Sequence, residues 1–158
     1  MKNNISKCLA IVVPCLNEQE VLLKTNYELL TLLDTLTENN LINPKSYILF
    51  VDDGSFDDTW TIIKQLCEKH KRVSGLKLSK NFGHQNALLA GLTRVNGKCD
   101  FVVTVDADLQ QDINAIPEMI EKYYSGSEIV FGIRNRRIGE PLFKKATGIL
   151  FNKVINIF

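Results

Sequence analysis

The sequence is poor in the signatures that most quickly identify a nucleotide enzyme or a secreted scaffold. It contains no GxxxxGK[ST], and no GxGxxG follows a strand-like run, so P-loop hydrolysis and dinucleotide binding lose their main support. There is no GxSxG elbow, which removes the usual mark of an α/β-hydrolase. The four cysteines, Cys8, Cys15, Cys67 and Cys99, stand far apart and make no CxxC pair. That disfavours a zinc site and a disulfide framework, and scattered thiols fit a reducing cytoplasm. Charge of one sign is also missing: 19 basic against 18 acidic residues leave +1. Nucleic-acid binding, which wants a strongly basic face, is therefore not expected. No apolar run approaches the ~20 residues of a membrane span, and Leu9–Val13 is too short for a secretory leader. Internal repeats and Gly-, Pro- or Ser-rich linkers are absent as well.

What remains is 158 residues with 45% apolar content, enough for one domain with a real core. Strand and helix patterns alternate. Strands are expected at Cys8–Val13, Ser46–Val51, Val73–Leu78, Phe101–Val105 and Glu128–Ile133. Helices are expected at Glu20–Leu36, around Trp60–Cys67, at Gln85–Val95, Asn114–Tyr124 and Leu142–Phe158. This order predicts an α/β fold, a mostly parallel sheet with helices on both faces.

Two apolar β-branched runs close in acid: Tyr47–Val51 enters Asp52-Asp53-Gly54-Ser55, and Phe101–Val105 enters Asp106-Ala107-Asp108. Open α/β sheets bind ligands outside the carboxyl ends of their strands. Four carboxylates on that edge repel one another unless a cation or donor group satisfies them. A divalent metal holding a diphosphate is the economical reading, since hard cations take carboxylate and phosphate oxygens together. In Asp106-Ala107-Asp108, alternate residues of an extended strand end share a face, so both carboxylates are expected to point one way. Asp112 adds an acid nearby. Asp-Gly is also a strong turn pair, but two acids on a buried strand end exceed what a turn requires, and a carboxylate there can read the imide N–H of a base. After the first strand, Pro14 is expected to stop the pairing, with Asn17 and Glu20 forming a capping box or the loop wrapping a nucleoside. Asp57 or Asp58 is expected to cap the second helix. His84 reads more readily as a surface residue at a helix start than as a ligand. Arg134, Arg136 and Arg137 carry forks that suit phosphate oxygens, with Arg134 nearest the strand end.

The segments IVVPCLNEQE, VDDGSFDDT, NFGHQNALLAGL, VVTVDADLQQD and FGIRNRR, in this order, resemble glycosyltransferase family 2, whose members have the Rossmann-like GT-A fold. The finer resemblance is to polyprenyl-phosphate glycosyltransferases, which include dolichyl-phosphate mannose synthase and the bactoprenol glucosyltransferases. The resemblance implies a catalytic nucleotide-sugar domain over 1–140 and an amphipathic, possible juxtamembrane helix over 141–158, without the transmembrane part of relatives. It implies that Pro14, Asn17, Glu18 and Glu20 line the nucleoside pocket and that Asp52 and Asp53 read the base. Asp106 and Asp108 become the DxD pair, with Asp108 and Gln110 holding Mg²⁺ or Mn²⁺ on the diphosphate, and Arg134 meeting phosphate. Many relatives read DLQDPP, whereas this chain has Gln111, with Asp112 one place later.

The implied reaction is inverting transfer from a UDP- or GDP-linked sugar to a polyprenyl phosphate at the cytoplasmic membrane face. An anionic acceptor needs no strong base. A hydroxyl acceptor would need one, and Asp112 is the first candidate. A catalytically silent nucleotide-sugar-binding fragment is the other alternative. A receiver domain is disfavoured, because Pro14-Cys15-Leu16-Asn17 follows the first strand where it needs acids, and Arg134 follows the fifth where it needs lysine. An apolar stripe of Leu142, Phe143, Ala146, Ile149, Leu150, Val154 and Ile157, with Lys144, Lys145 and Lys153, suggests contact with a membrane surface.

Overall fold

The computed structural model describes residues 7–133. Within them the order is β1 (Leu9–Cys15), α1 (Leu22–Glu38), β2 (Tyr47–Asp52), α2 (Thr59–Lys69), β3 (Val73–Lys77), α3 (His84–Val95), β4 (Phe101–Thr104) and α4 (Ile116–Tyr124). A short 3₁₀ turn at Ile113–Ala115 leads into α4. The four strands form one parallel sheet in the order β3-β2-β1-β4.

Period-two alternation in β1 sorts side chains between the two faces. Leu9, Ile11 and Val13 join Phe50, Leu29 and Leu33 of α1, Ile63 of α2 and Ile120 of α4 in one cluster. Ala10 and Val12 join Leu49, Val51 and the α3 residues Ala87 and Val95 in the other. Each fully buried Leu, Ile or Phe contributes roughly 1.5–3 kcal/mol of transfer free energy. On the second face α3 lies close to the sheet because Gly91 carries no side chain. A Cβ there would stand 2.5 Å from Val12 Cγ1.

The strand order matters for the site. The chain moves outward from β1 through β2 to β3, and then α3 carries it back to β4 on the other side of β1. The β1/β4 junction is thus the point where strand order reverses, and ligand crevices of open sheets lie outside the carboxyl ends at such points.

Three expectations change. Pro14 does not stop β1, which runs to Cys15 with Pro14 opposite Val51. Asp53 N–H donates to the Cys15 carbonyl and Val105 N–H to that of Val12, so Pro14 faces the β4 side. Its missing N–H ends pairing toward β4 only, where that strand has already stopped. β4 itself is half-exposed along its length, an edge strand among the described residues, where a run of this apolar character reads as a buried parallel strand. Glu128–Ile133 is not a strand here: 128–133 has no regular structure, and Ile129, Phe131 and Ile133 are exposed. It has no ladder partner among the described residues, although Gly132 lies against Met119 of α4. The expected helix Leu142–Phe158 and its membrane-facing stripe lie outside the described residues. No helix among those described is long and apolar enough to cross a membrane.

Candidate active site

The loop after β1 is tied to the loop after β2. Asn17 takes a left-handed conformation, φ 56°, which asparagine tolerates better than most residues. Its N–H donates to Ser55 Oγ at 2.9 Å, and its Oδ1 accepts from Phe56 N–H at 2.9 Å. Glu18 N–H donates to Thr59 Oγ1 at 2.8 Å, and Gln19 N–H to Asp57 Oδ2 at 3.2 Å. The expected capping box is therefore not formed. Helix α1 starts at Leu22, the Glu18 carbonyl accepts from Val21 and Leu22 N–H, and the N-cap has no side-chain bond. Asn17 serves as a bridge between loops instead, and Glu20 is exposed. At the start of α2 Asp57 Oδ1 accepts from Thr59 N–H at 3.0 Å, while the N-cap residue Asp58 makes no side-chain bond.

Asp52 and Asp53 are 0% and 2% exposed. Asp52 Oδ1 accepts from Ser55 N–H at 3.2 Å, while its buried Oδ2 has no partner. Asp53 Oδ1 accepts from Phe82 N–H at 2.8 Å and Oδ2 from Gly83 N–H at 2.9 Å. Both oxygens of the expected base reader are thus engaged by the loop that opens α3. Gly54, at φ 73°, packs on that loop so closely that a Cβ would lie 2.4 Å from the Lys80 carbonyl carbon.

Past β4, Val105 and Ala107 are buried, Asp106 is half-buried and Asp108 is exposed. This alternation puts the two acids on the outward side. The segment is held from behind by buried Thr25 of α1, whose hydroxyl donates to the Ala107 carbonyl. Gln111 grips Asp106 twice, accepting from its N–H at 2.9 Å through Oε1 and donating to Oδ2 through Nε2. Asp108 Oδ1 accepts from Gln110 N–H at 3.0 Å. Asp112 is occupied as a cap: its Oδ1 accepts from both the backbone and the side-chain amide of Asn114 at 3.0 Å. His84 Nε2 lies 3.9 Å from Asp106 Oδ1.

Electrostatics join the two loops. The carboxyl of Glu18 is pushed above its ordinary range by partial burial and then by Asp108, Asp57 and Asp106. Of the four strand-end acids expected to gather at this edge, Asp52 and Asp53 are buried, whereas Asp106 and Asp108 act on Glu18, with Asp57 beside them. Cys15, buried behind them, has its thiol pushed up by burial and by Glu18 and Asp52, which keeps it unreactive.

No group of three His, Cys, Asp or Glu is assembled for a metal among the described residues. Asp106 and Asp108 supply hard oxygen donors without sulfur. Such a pair fits Mg²⁺ or Mn²⁺, which take their other ligands from water and phosphate, rather than a closed structural site. Arg134 lies outside the described residues. The residues that sequence reasoning missed are Thr25 and Gln111, because their partners are reached only through the fold. Gln111 had drawn notice only as a departure from a motif.

The model for glycosyl transferase family 2 matches residues 10–156. An uncharacterized glycosyltransferase of Bacillus subtilis, YkoT, is 47% identical over 148 residues, covering 94% of this chain and 44% of that protein. The bactoprenol glucosyl transferase of Shigella phage SfV is 36% identical over 149 residues, covering 94% and 46%. The chain thus spans a little under half the length of these curated relatives. Among solved structures, Staphylococcus aureus TarS in complex with UDP-GlcNAc is similar with a TM-score of 0.54 at 21% identity, over 87% of this chain and 38% of that one. The mannosyltransferase PcManGT from Pyrobaculum calidifontis, in complex with GDP-Man and Mn²⁺, gives 0.54 at 21%, over 75% and 32%. Sheet order, the acids at its carboxyl edge and the match over nearly the whole chain agree: this chain belongs to glycosyl transferase family 2 and has the GT-A fold.

Proposed function

We propose that this chain carries the nucleotide-sugar site of an inverting glycosyltransferase whose acceptor is a polyprenyl phosphate. The observation that supports it most directly is the outward pair Asp106 and Asp108 beyond β4, facing Glu18 across the reversal point of the sheet. Relatives at 36% identity are bactoprenol glucosyl transferases, which favours a lipid-phosphate acceptor. UDP-GlcNAc and GDP-Man in structural neighbours leave both uridine and guanosine donors in play.

In this reading the loop Pro14–Glu18 borders the nucleoside, with the backbone of Asn17 fixed by Ser55 and Phe56. Asp108, with Gln110 and Asp106 beside it, would hold Mg²⁺ or Mn²⁺. A divalent ion there supplies Lewis-acid stabilisation of the leaving diphosphate. Asp106 is kept in one orientation by Gln111, leaving Oδ1 available for the donor. Arg134 would add a guanidinium to the phosphates. A phosphate acceptor arrives as an anion, so displacement at the anomeric carbon with inversion needs no base from the protein. Asp112 accepts the Asn114 amides through Oδ1 alone, so it stays the first candidate for a base should the acceptor be a hydroxyl. The location proposed is peripheral, on the cytoplasmic membrane face, where the lipid acceptor is presented.

The test is calorimetric titration with UDP- and GDP-sugars, with and without Mn²⁺. One donor class should bind with Mn²⁺ dependence, and Asp108→Ala should remove that dependence with little loss of stability, because an exposed acid contributes little packing. Equal donor binding by parent and Asp108→Ala in Mn²⁺ would refute the site.

A further inference from the structure

We propose that His84 is a binding residue of this site, its imidazole N–H donating to a diphosphate oxygen of the nucleotide. The proposal rests on the donor-site reading above and adds a residue to it. A diphosphate entering this edge meets Glu18, Asp57, Asp106 and Asp108, of which the last three add to the cost of ionising Glu18. Anions are held in such a place only where hydrogen-bond donors or cations face them. Among the described residues, His84 is the basic side chain within ion-pair range of the DxD acids. At 3.9 Å the gap to Asp106 is too long for a direct hydrogen bond, so the pair does not consume the imidazole. The side chains of His84 and Asp106 are 55% and 49% exposed, which leaves both open to a ligand that bridges or borders them.

The placement of His84 is built rather than incidental. It is the first residue of α3, whose Ala87, Gly91 and Val95 are buried on the sheet. The two residues before it are fixed by Asp53 through Phe82 N–H and Gly83 N–H. The residues before those are fixed by their contact with Gly54. On the other side of the gap, Gln111 sets the orientation of Asp106. Asp53 is by this account a positioning residue, acting on the ligand through His84.

The probes are UDP and GDP by calorimetry with Mn²⁺, and uridine and guanosine by NMR titration. His84→Ala should weaken the nucleoside diphosphate that the parent binds by about tenfold, the loss of one charge-assisted hydrogen bond. The matching nucleoside should bind within twofold of the parent, because it has no phosphate to lose. His84→Gln, which keeps an N–H donor, should recover most of the diphosphate affinity. Diphosphate binding unchanged in His84→Ala, or an equal loss for nucleoside and diphosphate, would overturn the assignment. Failure of the parent to bind either nucleoside diphosphate would overturn the donor reading and this residue with it. Asp53→Asn should expose the Phe82 and Gly83 amides to hydrogen exchange in the absence of nucleotide and reproduce the phosphate-selective loss. A loss shared equally by the nucleoside would instead make Asp53 a base reader and end its positioning role.

Discussion

Replacing Gly54 with Ala tests how the DDG motif is built, and its cost can be worked from two separable terms. At φ 73°, an L-residue brings its Cβ against the following carbonyl, costing about 1–2 kcal/mol. The second term is external. The new Cβ would lie 2.4 Å from the Lys80 carbonyl carbon, 2.6 Å from Asn81 N and 2.8 Å from Lys80 Cα. These are main-chain atoms that no rotamer change can move. Reaching the 3.4 Å of ordinary contact requires the 80–83 loop to retreat by ~1 Å. That would stretch the Asp53 bonds to Phe82 and Gly83 from 2.8 and 2.9 Å beyond hydrogen-bonding range. Bonds to a charged acceptor contribute about 1.5–3 kcal/mol each, but both amides belong to exposed residues and would recover part of that from water. The sum is about 3–5 kcal/mol, a large share of the ~5–15 kcal/mol typical of a domain. Urea denaturation should show it directly. Gly54→Asn separates the terms, because asparagine tolerates the left-handed region while keeping a Cβ. It should recover no more than about 1 kcal/mol of the loss. Parent-like stability in Gly54→Asn would refute the packing argument, and a loss under about 1 kcal/mol in Gly54→Ala would refute both terms.

Glu18→Gln should stabilise the protein slightly at neutral pH. Burial and neighbouring acids raise the Glu18 pKa in the fold, so its ionised form costs stability above that pKa and nothing below the unfolded one. The gain, about 0.5 kcal/mol or less for a partly exposed group screened by solvent, should disappear as pH falls through the ordinary glutamate range. A variant less stable than the parent at pH 7, or a gap that widens toward acid, contradicts this. For the membrane proposal, the chain should co-sediment with anionic vesicles at low salt and be released at high salt. Lys144→Glu combined with Lys145→Glu should abolish that association without changing nucleotide affinity. A parent chain that stays in the supernatant at low salt removes the membrane role of this stretch.

Much of the fold was legible because each element obeys its local period. β1, β2, β3, α1, α2 and α3 lie within a few residues of expectation, and the alternation of Leu9–Val13 gives both faces of the sheet. The failure at Glu128–Ile133 is instructive: alternating Ile129, Phe131 and Ile133 looks like a strand locally, but a strand is completed by a partner, and periodicity does not name one. The acids at the carboxyl edge were legible for the same reason as the fold, because a polar group directly after a buried strand must sit where the chain leaves the sheet. The details of Pro14, Asn17 and Glu20 were not. A proline's effect depends on which neighbour its missing N–H faces, and a cap depends on where the helix begins. Gln111 and Thr25 were invisible because their partners, Asp106 and the Ala107 carbonyl, come within reach only through a tight turn or across α1.

The two acidic motifs look equivalent as sequence, each a pair of acids closing an apolar strand, and the fold gives them different work. Burial separates them. Asp52 and Asp53 are 0% and 2% exposed, and Asp53 accepts two amides from the loop that opens α3. Asp106 is half-exposed and Asp108 exposed, with backbone and side-chain bonds that orient them but leave room for a ligand. A buried carboxylate whose oxygens are satisfied by the protein stiffens what surrounds it, whereas an exposed one among like charges is destabilised until a cation or donor arrives. Through Asp53 the first motif therefore builds the wall on which His84 stands, and the second presents charge to whatever binds there. The physical link between them runs through the 80–83 loop. A substitution at Asp53 or Gly54 should accordingly be felt at the β1/β4 junction even though Asp53 is buried beneath the 80–83 loop and Gly54 has no side chain.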